Sequence, residues 1–383
     1  MLNRVRIQGK RFLSITFTLT GTIIGAGVLG LPYVFADSGF LVGLAWLIFL
    51  GIVMIFVTLC LGEVTLRTAT IQQLPGYAEK YLGKFPKKIM VFSMVIGIYA
   101  ALLAYLIGQG QSLSLLFTGG LENSFYFGVG FWILITAFLQ GSLKRLEGVG
   151  YFGVSGMILV FFILLLALMP GFSFSNLTPI NPSKIFFPFG VILFSLMGFN
   201  AIPILRREVG RNKRYLLKKA IIIGILISII FYLIFSFVFV GVLGREINEV
   251  ATLSFKGILG GLLLIFGMFT MITSYFFLSY ALKDYFLFDL KKRKPILFYV
   301  SLVPLMLYLL VSSFNNLGFV GVLGIGGSIA GGITGILILL MTLKSKRKGD
   351  MPPEYSMPLN WFLIVLLGII FLMGILFEFF FLF

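Results

Sequence analysis

The groups best placed to do chemistry in this chain are backbone groups, exposed where apolar helices are made to fail. Gly21 to Tyr33 reads GTIIGAGVLGLPY, four glycines and a proline inside an apolar run. In a helix interior each glycine costs about 1 kcal/mol and proline about 3 kcal/mol, so a plain anchor has no use for such a stretch. If the turn unwinds at membrane depth, its freed N–H and C=O groups must be met by protein or by a polar ligand. N–H groups at the start of a half-helix favour an anion, and carbonyls at the end of one favour a cation. A zwitterion such as an amino acid satisfies both. A second interruption, PFGVILFSLMGFNAIPILRRE from Pro188 to Glu208, carries Gly198, Asn200 and Pro203. A third set, Thr270, Thr273 and Ser274, falls at i, i+3 and i+4 on one helical face and offers hydroxyl oxygens suited to a hard cation. Each motif also has a structural reading: glycines mark close helix packing, and membrane Ser and Thr bond their own backbone.

The elements that would hold these groups follow from composition. Apolar residues make up 59% of the chain and charged residues 11%, with mean hydropathy +1.09, more than one soluble core can hide. At about 20 residues per crossing, helical spans are expected near 12–34, 39–66, 89–117, 124–140, 149–169, 185–205, 215–244, 259–282, 295–313, 318–343 and 360–382. The expected fold class is an all-α integral membrane protein of about eleven transmembrane helices. Of the 30 Lys and Arg, only Lys184, Arg245 and Lys256 fall in the alternate loops of one side, and the other 27 fall on the opposite side. The positive-inside rule then puts the N-terminus in the cytoplasm and the C-terminus outside the cell membrane. The net charge of +17 thus marks topology, and nucleic acid is not expected as a partner. The first apolar run continues past Pro32 into a second span, so no cleaved signal is read. One Cys, Cys60, and no His exclude an internal disulfide and a His/Cys metal cluster.

Spans 1 and 6 lie five spans apart. A five-span unit repeated in tandem enters the membrane from opposite sides, and matched breaks in two inverted halves point to a midplane site. That predicts one transmembrane domain, 1–383, built from a first repeat over 12–169, a second inverted repeat over 185–343, and an added helix over 360–382. A complete inverted repeat in one chain makes a monomer sufficient.

GTIIGAGVLGLPYVFADSG, Gly21 to Gly39, resembles the first-helix signature of permeases of the amino acid/polyamine/organocation superfamily, most closely the amino acid/auxin permease branch. FSLMGFNAIPILRREVGRNKR, Phe194 to Arg214, resembles that branch's sixth helix, and AYLIGQGQSL, Ala104 to Leu113, its third. The resemblance implies the leucine-transporter fold, with substrate between helices 1, 3, 6 and 8. The amides of Gly25, Ala26 and Gly27 would hold the substrate carboxylate, with Thr22 close by. Carbonyls at Ser195, Leu196 and Gly198 would accept the ammonium, and Phe199 and Asn200 would line the side-chain pocket. Tyr105, with Tyr99 as a rival, would face the carboxylate from helix 3, and Gln109 follows one turn on. In sodium-coupled relatives a hydroxyl pair on helix 8 completes a sodium site with helix 1 carbonyls, here Thr273 and Ser274, beside Thr270, with Gly21 and Ile24.

The expected function is a secondary transporter of neutral amino acids by alternating access, coupled to a cation, with sodium favoured over the proton. Some proton-driven relatives carry a helix 5 lysine, which GYFGVSGMILVFFILLLALMPG lacks, and no ionisable side chain is expected deep in any span. Neutral substrates are favoured because no buried counter-charge accompanies helices 1, 3, 6 or 8. A non-transporting amino acid sensor, or a carrier of another small solute, is the alternative. An enzyme is not expected, since with no His and a single Cys near the cytoplasmic end of helix 2 it would have to work with carboxylates at the membrane surface. Two surface features complete the reading: Arg6 or Arg11 paired with Asp284 or Asp289 as a gate on the cytoplasmic side, and Asn176-Leu177-Thr178 as a chance sequon.

Overall fold

Apolar runs in this chain become helices wherever no glycine or proline intervenes, and the computed structural model shows where the interruptions fall. It describes residues 2–139, 162–163, 165–210, 213–284, 298–314 and 317–382. The helices are α1 (Leu2–Ile23), α2 (Leu31–Ser38), α3 (Phe40–Arg67), α4 (Leu74–Leu82), α5 (Lys84–Thr118), α6 (Ser124–Leu139), α7 (Pro188–Ser195), α8 (Ala201–Val209), α9 (Leu216–Leu243), α10 (Gly257–Asp284), α11 (Val303–Phe314), α12 (Phe319–Gly326), α13 (Gly332–Lys348) and α14 (Trp361–Leu382). No strand occurs among the described residues.

Six unbroken helical stretches are long and apolar enough to cross a membrane: 40–67, 84–118, 216–243, 257–283, 319–348 and 361–380. A seventh crossing is the pair Arg11–Ile23 and Gly27–Ser38, bent by 50° at the Gly25 interruption. The expected span near 185–205 is likewise divided, into α7 and α8. α6 and the helix over Tyr299–Ser313 are shorter apolar helices. These account for ten of the expected spans; most of the remaining one, 149–169, lies outside the described residues. The protein is thus an all-α, multi-pass membrane protein.

Local chemistry sets the boundaries. Pro32 sits in the first turn of α2, where its missing N–H costs nothing. Gly39 joins α2 to α3 at φ +100°, and a Cβ there would run into the backbone of Pro179 and Ile180, so the loop before α7 can close tightly over this corner. α5 ends at Gly119 in the left-handed conformation, its N–H bonding Leu115 O at 3.1 Å.

The core is graded. Over 319–348 the span is 78% buried, whereas α14 is 28% buried and faces outward. α12 and α13 are joined by a π turn, Gly327–Gly331, a departure from α geometry that frees backbone groups and recurs at functional sites. α1 packs along α9, and α5 packs against α6, α10 and α12, so the two interrupted spans lie among long unbroken ones.

Candidate functional site

The breaks are defined by where N–H groups turn. In span 1, Ile24 N–H still bonds Thr20 O at 2.7 Å, but Gly25 N–H turns to Ile23 O at 2.8 Å and Val28 N–H to Gly25 O at 3.3 Å. In a continuous α-helix those two donors would serve the carbonyls of Gly21 and Ile24. These are the two oxygens singled out in the sequence for a cation. Ala26 opens the short 3-10 turn Ala26–Gly30 that follows. In span 6, Leu196 N–H bonds Ile192 O at 3.0 Å and Met197 N–H bonds Phe194 O at 3.1 Å. The helix resumes with Ala201 N–H on Gly198 O at 3.1 Å.

The two breaks touch. A Cβ on Gly27 would lie 2.8 Å from Ser195 Oγ, and a Cβ on Gly198 would lie 2.7 Å from Ile23 Cγ1, so glycine at both positions permits the approach. Across the junction stands Tyr232 of α9, fully buried, its hydroxyl 2.7 Å from Ile23 O and 2.8 Å from Ser195 O. One phenolic proton is shared between the carbonyl ends of both half-helices. Tyr232 was not singled out in the sequence; its only signal was a tyrosine inside the run IIFYLIFSF.

Spans 3 and 8 arrive at Gly25. The Tyr105 hydroxyl and the Ser274 side chain meet there: a Cβ on Gly25 would lie 3.5 Å from Ser274 Oγ and 3.9 Å from Tyr105 Oη. The rival, Tyr99, donates instead to Tyr299 O at 2.9 Å. Gln109 is buried and donates Nε2–H to Met268 O at 2.6 Å, while its Oε1 has no hydrogen-bond partner among the described residues. Thr270 donates to Gly267 O at 2.7 Å, and Thr273 lies 2.9 Å from Thr270 O and 3.0 Å from Phe269 O. Their protons stay on their own helix, leaving oxygen lone pairs to accept.

The remaining residues named from the sequence divide. Leu196 and Phe199 are buried, and Ser195 is buried with its hydroxyl donating to Val191 O at 2.8 Å. Asn200 is exposed, and Thr22 is exposed with its hydroxyl turned back to Thr18 O at 2.8 Å. The Arg6 and Asp284 side chains and residue 289 lie outside the described residues, so the gate named from the sequence lies outside them too; Arg11 is exposed. The Asn176 amide of the sequon is engaged, Nδ2 donating to Gly241 O at 2.9 Å and Val242 O at 3.1 Å.

Two carboxylates within predicted spans are buried: Glu63, with no exposure, and Glu378, 9% exposed. Glu63 Oε1 accepts from Arg67 Nε at 2.8 Å and Ser356 Oγ at 3.0 Å, and Oε2 accepts from Met357 N–H at 2.6 Å. That cluster clamps segment 349–360 to the end of α3, assisted by the Lys80–Asp350 ion pair. A cavity of about 330 Å³ lined by Arg206, Arg207 and Arg214 opens at the same basic face, where α8 ends.

Fold and breaks together define a membrane protein whose polar groups converge where two interrupted helices meet. The chain belongs to the tryptophan/tyrosine permease family, whose model matches residues 8–379. It is 26% identical over 244 residues to glutamine transporter 2 of Aliivibrio fischeri, covering 62% of each chain. It is 27% identical over 227 residues to tyrosine-specific transport system 1 of Haemophilus influenzae, covering 58% of this chain and 55% of that protein. The chain thus spans roughly three-fifths of the length of these curated relatives. A mutant of the Eremococcus coleocola manganese transporter shares the fold, with TM-score 0.57 at 10% identity over 96% of this chain and 94% of that one. The family is one of permeases and the matched relatives are transporters, which supports the expectation that the chain is not an enzyme.

Proposed function

We propose that this protein is a secondary transporter that moves neutral amino acids across the cell membrane by alternating access. The observation carrying the reading is the junction at which the ends of α1 and α7 meet, with Ser195 beside Gly27, Ile23 beside Gly198, and Tyr232 bridging both carbonyl ends. Interrupted spans in contact at membrane depth supply N–H groups for a carboxylate and carbonyls for an ammonium. The carboxylate belongs at Gly25, Ala26 and Gly27 under Tyr105. The ammonium belongs at the carbonyls of Leu196 and Gly198, with the second lone pair of Ser195 O, and Phe199 closes the side-chain end.

The resemblance of Gly21–Gly39 and Phe194–Arg214 supports the amino acid/auxin-like branch, and the matched breaks support a division into inverted halves, 12–169 and 185–343, with 360–382 added. Charge distribution favours a cytoplasmic N-terminus and an outer C-terminus. Sodium fits the Gly21 and Ile24 carbonyls, whose helical donors turn elsewhere, with Ser274 Oγ 3.5 Å from a Cβ on Gly25 and Thr273 preceding it on α10. The family and the names of the relatives make tyrosine, tryptophan and glutamine the substrates to assay. The test is uptake of these labelled amino acids by the purified protein in liposomes, under an inward sodium gradient and then a pH gradient. Uptake under either supports transport, and sodium-driven uptake supports the cation site. Binding without uptake or exchange would replace the transporter with a sensor.

A further inference from the structure

Glu378 is the one ionisable side chain in α14, and it lies on the buried stripe of that helix with Ile364, Leu367 and Phe371. Its Oε2 lies 3.3 Å from Ser328 Oγ in the π turn of span 10. A Cβ added to Gly190 of α7 would run into Glu378 Oε2, the Gly324 carbonyl oxygen and the Ser328 hydroxyl. A Cβ added to Gly324 of α12 would run into Glu378 Oε1. The carboxyl is therefore wedged between two glycine backbones, one on the half-helix leading into the span 6 break and one on span 10, with a carbonyl and a hydroxyl as polar company.

No cation faces it. α14 packs on α7, α12, the π turn and α13. α7, α12 and the π turn contain no Asp, Glu, Lys or Arg, and the charges of α13, Lys344, Lys346, Arg347 and Lys348, are at its far end, sixteen or more residues beyond Ser328. Beyond the start of α7, Lys184 is paired with Asp37 at 2.6 Å. At the start of α12, Glu249 from the loop between α9 and α10 is also acidic and accepts Val320 N–H at 3.0 Å. A carboxylate buried without a cation is costly, whereas a neutral carboxylic acid keeps the Ser328 hydrogen bond without burying a charge.

We propose that Glu378 is a proton-binding site: its carboxyl is protonated while α7, the π turn and α14 are packed together, and it releases the proton to water when α7 separates from them. The same oxygen that bonds Ser328 takes the proton up again on closure, so one proton is exchanged per separation and no other reactant is needed. This gives the added helix a role in sensing the position of the broken span. The separation of α7, and with it a pH-dependent turnover, rests on the transport reading; the protonated carboxyl of the packed state does not.

The test separates the two. Infrared spectra of the purified protein at neutral pH should show a protonated-carboxyl band that is lost in E378Q and shifted in S328A, which keeps the acid but removes its hydroxyl partner. Should E378Q fail to insert, the S328A shift alone decides. In liposomes, wild-type uptake should vary with pH and E378Q uptake should lose that dependence. A neutral-pH band unchanged by both variants, or a wild-type pH profile in an active E378Q, overturns the proposal. Absence of uptake in the wild type would count against transport and leave the infrared result to decide Glu378.

Discussion

The hydroxyl of Tyr232 lies 2.7 Å from the carbonyl oxygen of Ile23, the residue at which the first half-helix ends. The same hydroxyl lies 2.8 Å from Ser195 O, so a single side chain of α9 serves two carbonyls that helix breaking would otherwise leave in an apolar interior. Tyr232→Phe removes the donor and leaves those oxygens buried. The expected loss is about 1–3 kcal/mol, seen as a lower melting temperature in detergent together with impaired amino acid binding. An unchanged melt and unchanged binding would mean that the bridge holds neither break in place.

Glycines at the junction should differ in tolerance. A Cβ on Gly25 makes ordinary contacts, 3.5 Å to Ser274 Oγ, whereas one on Gly27 would press to 2.8 Å of Ser195 Oγ and 3.3 Å of Phe194. Gly25→Ala should therefore retain most binding and Gly27→Ala should lose more. Gly25→Leu fills the space below Tyr105 and should abolish binding while leaving the protein inserted. Isothermal titration with tyrosine and glutamine ranks the three, and normal transport by Gly25→Leu removes this glycine from the site.

Thr273→Ala deletes a hydroxyl oxygen offered to sodium but also a hydrogen bond confined to its own helix. Loss of that local bond alone leaves ion dependence where it was. A lost ligand instead raises the sodium concentration needed for half-maximal uptake, which is the expected result. Sodium titration of uptake in wild type and variant reads the difference directly, and an unchanged half-maximal concentration takes α10 out of ion coupling.

Segment 349–360 should loosen in acid. Asp350 is held below the usual carboxylate range by the Ala69 N–H it accepts and by the Lys80 ammonium beside it. A folded-state value below the unfolded one, about 3.9, means a stabilisation present above that pH and lost as pH falls through the folded value. Melting curves from about pH 6 downward should show Asp350→Asn less stable than wild type above pH about 4, converging below it. A difference that persists undiminished in stronger acid would assign the effect to something other than this carboxylate.

Much of the architecture is written one residue at a time. Apolar length fixes helices, and glycine or proline within them fixes where they stop: the Gly21–Tyr33 break is found at Gly25, and the Pro188–Glu208 break between Ser195 and Ala201. Which tyrosine of α5 reaches the break is not a local property. Tyr99 and Tyr105 are both tyrosines on one apolar helix, and only the packing of α5 against α10 sends one to Ser274 at Gly25 and the other to Tyr299 O. The same holds for Glu378, which reads in sequence as a charge near the end of an apolar run, EFFFLF.

Sequence by itself determined the membrane class, the positions of the interrupted spans and the kind of polar group each interruption releases. Those follow from hydropathy and from the backbone preferences of glycine and proline, which act within a few residues. Tertiary structure alone decided that the two breaks touch, that Tyr232 joins their carbonyl ends and that Glu378 is buried against Gly190 and Gly324. The pairing of Tyr232 with Ile23 spans 209 residues and that of Glu378 with Ser328 spans 50, so both depend on how separate helices pack.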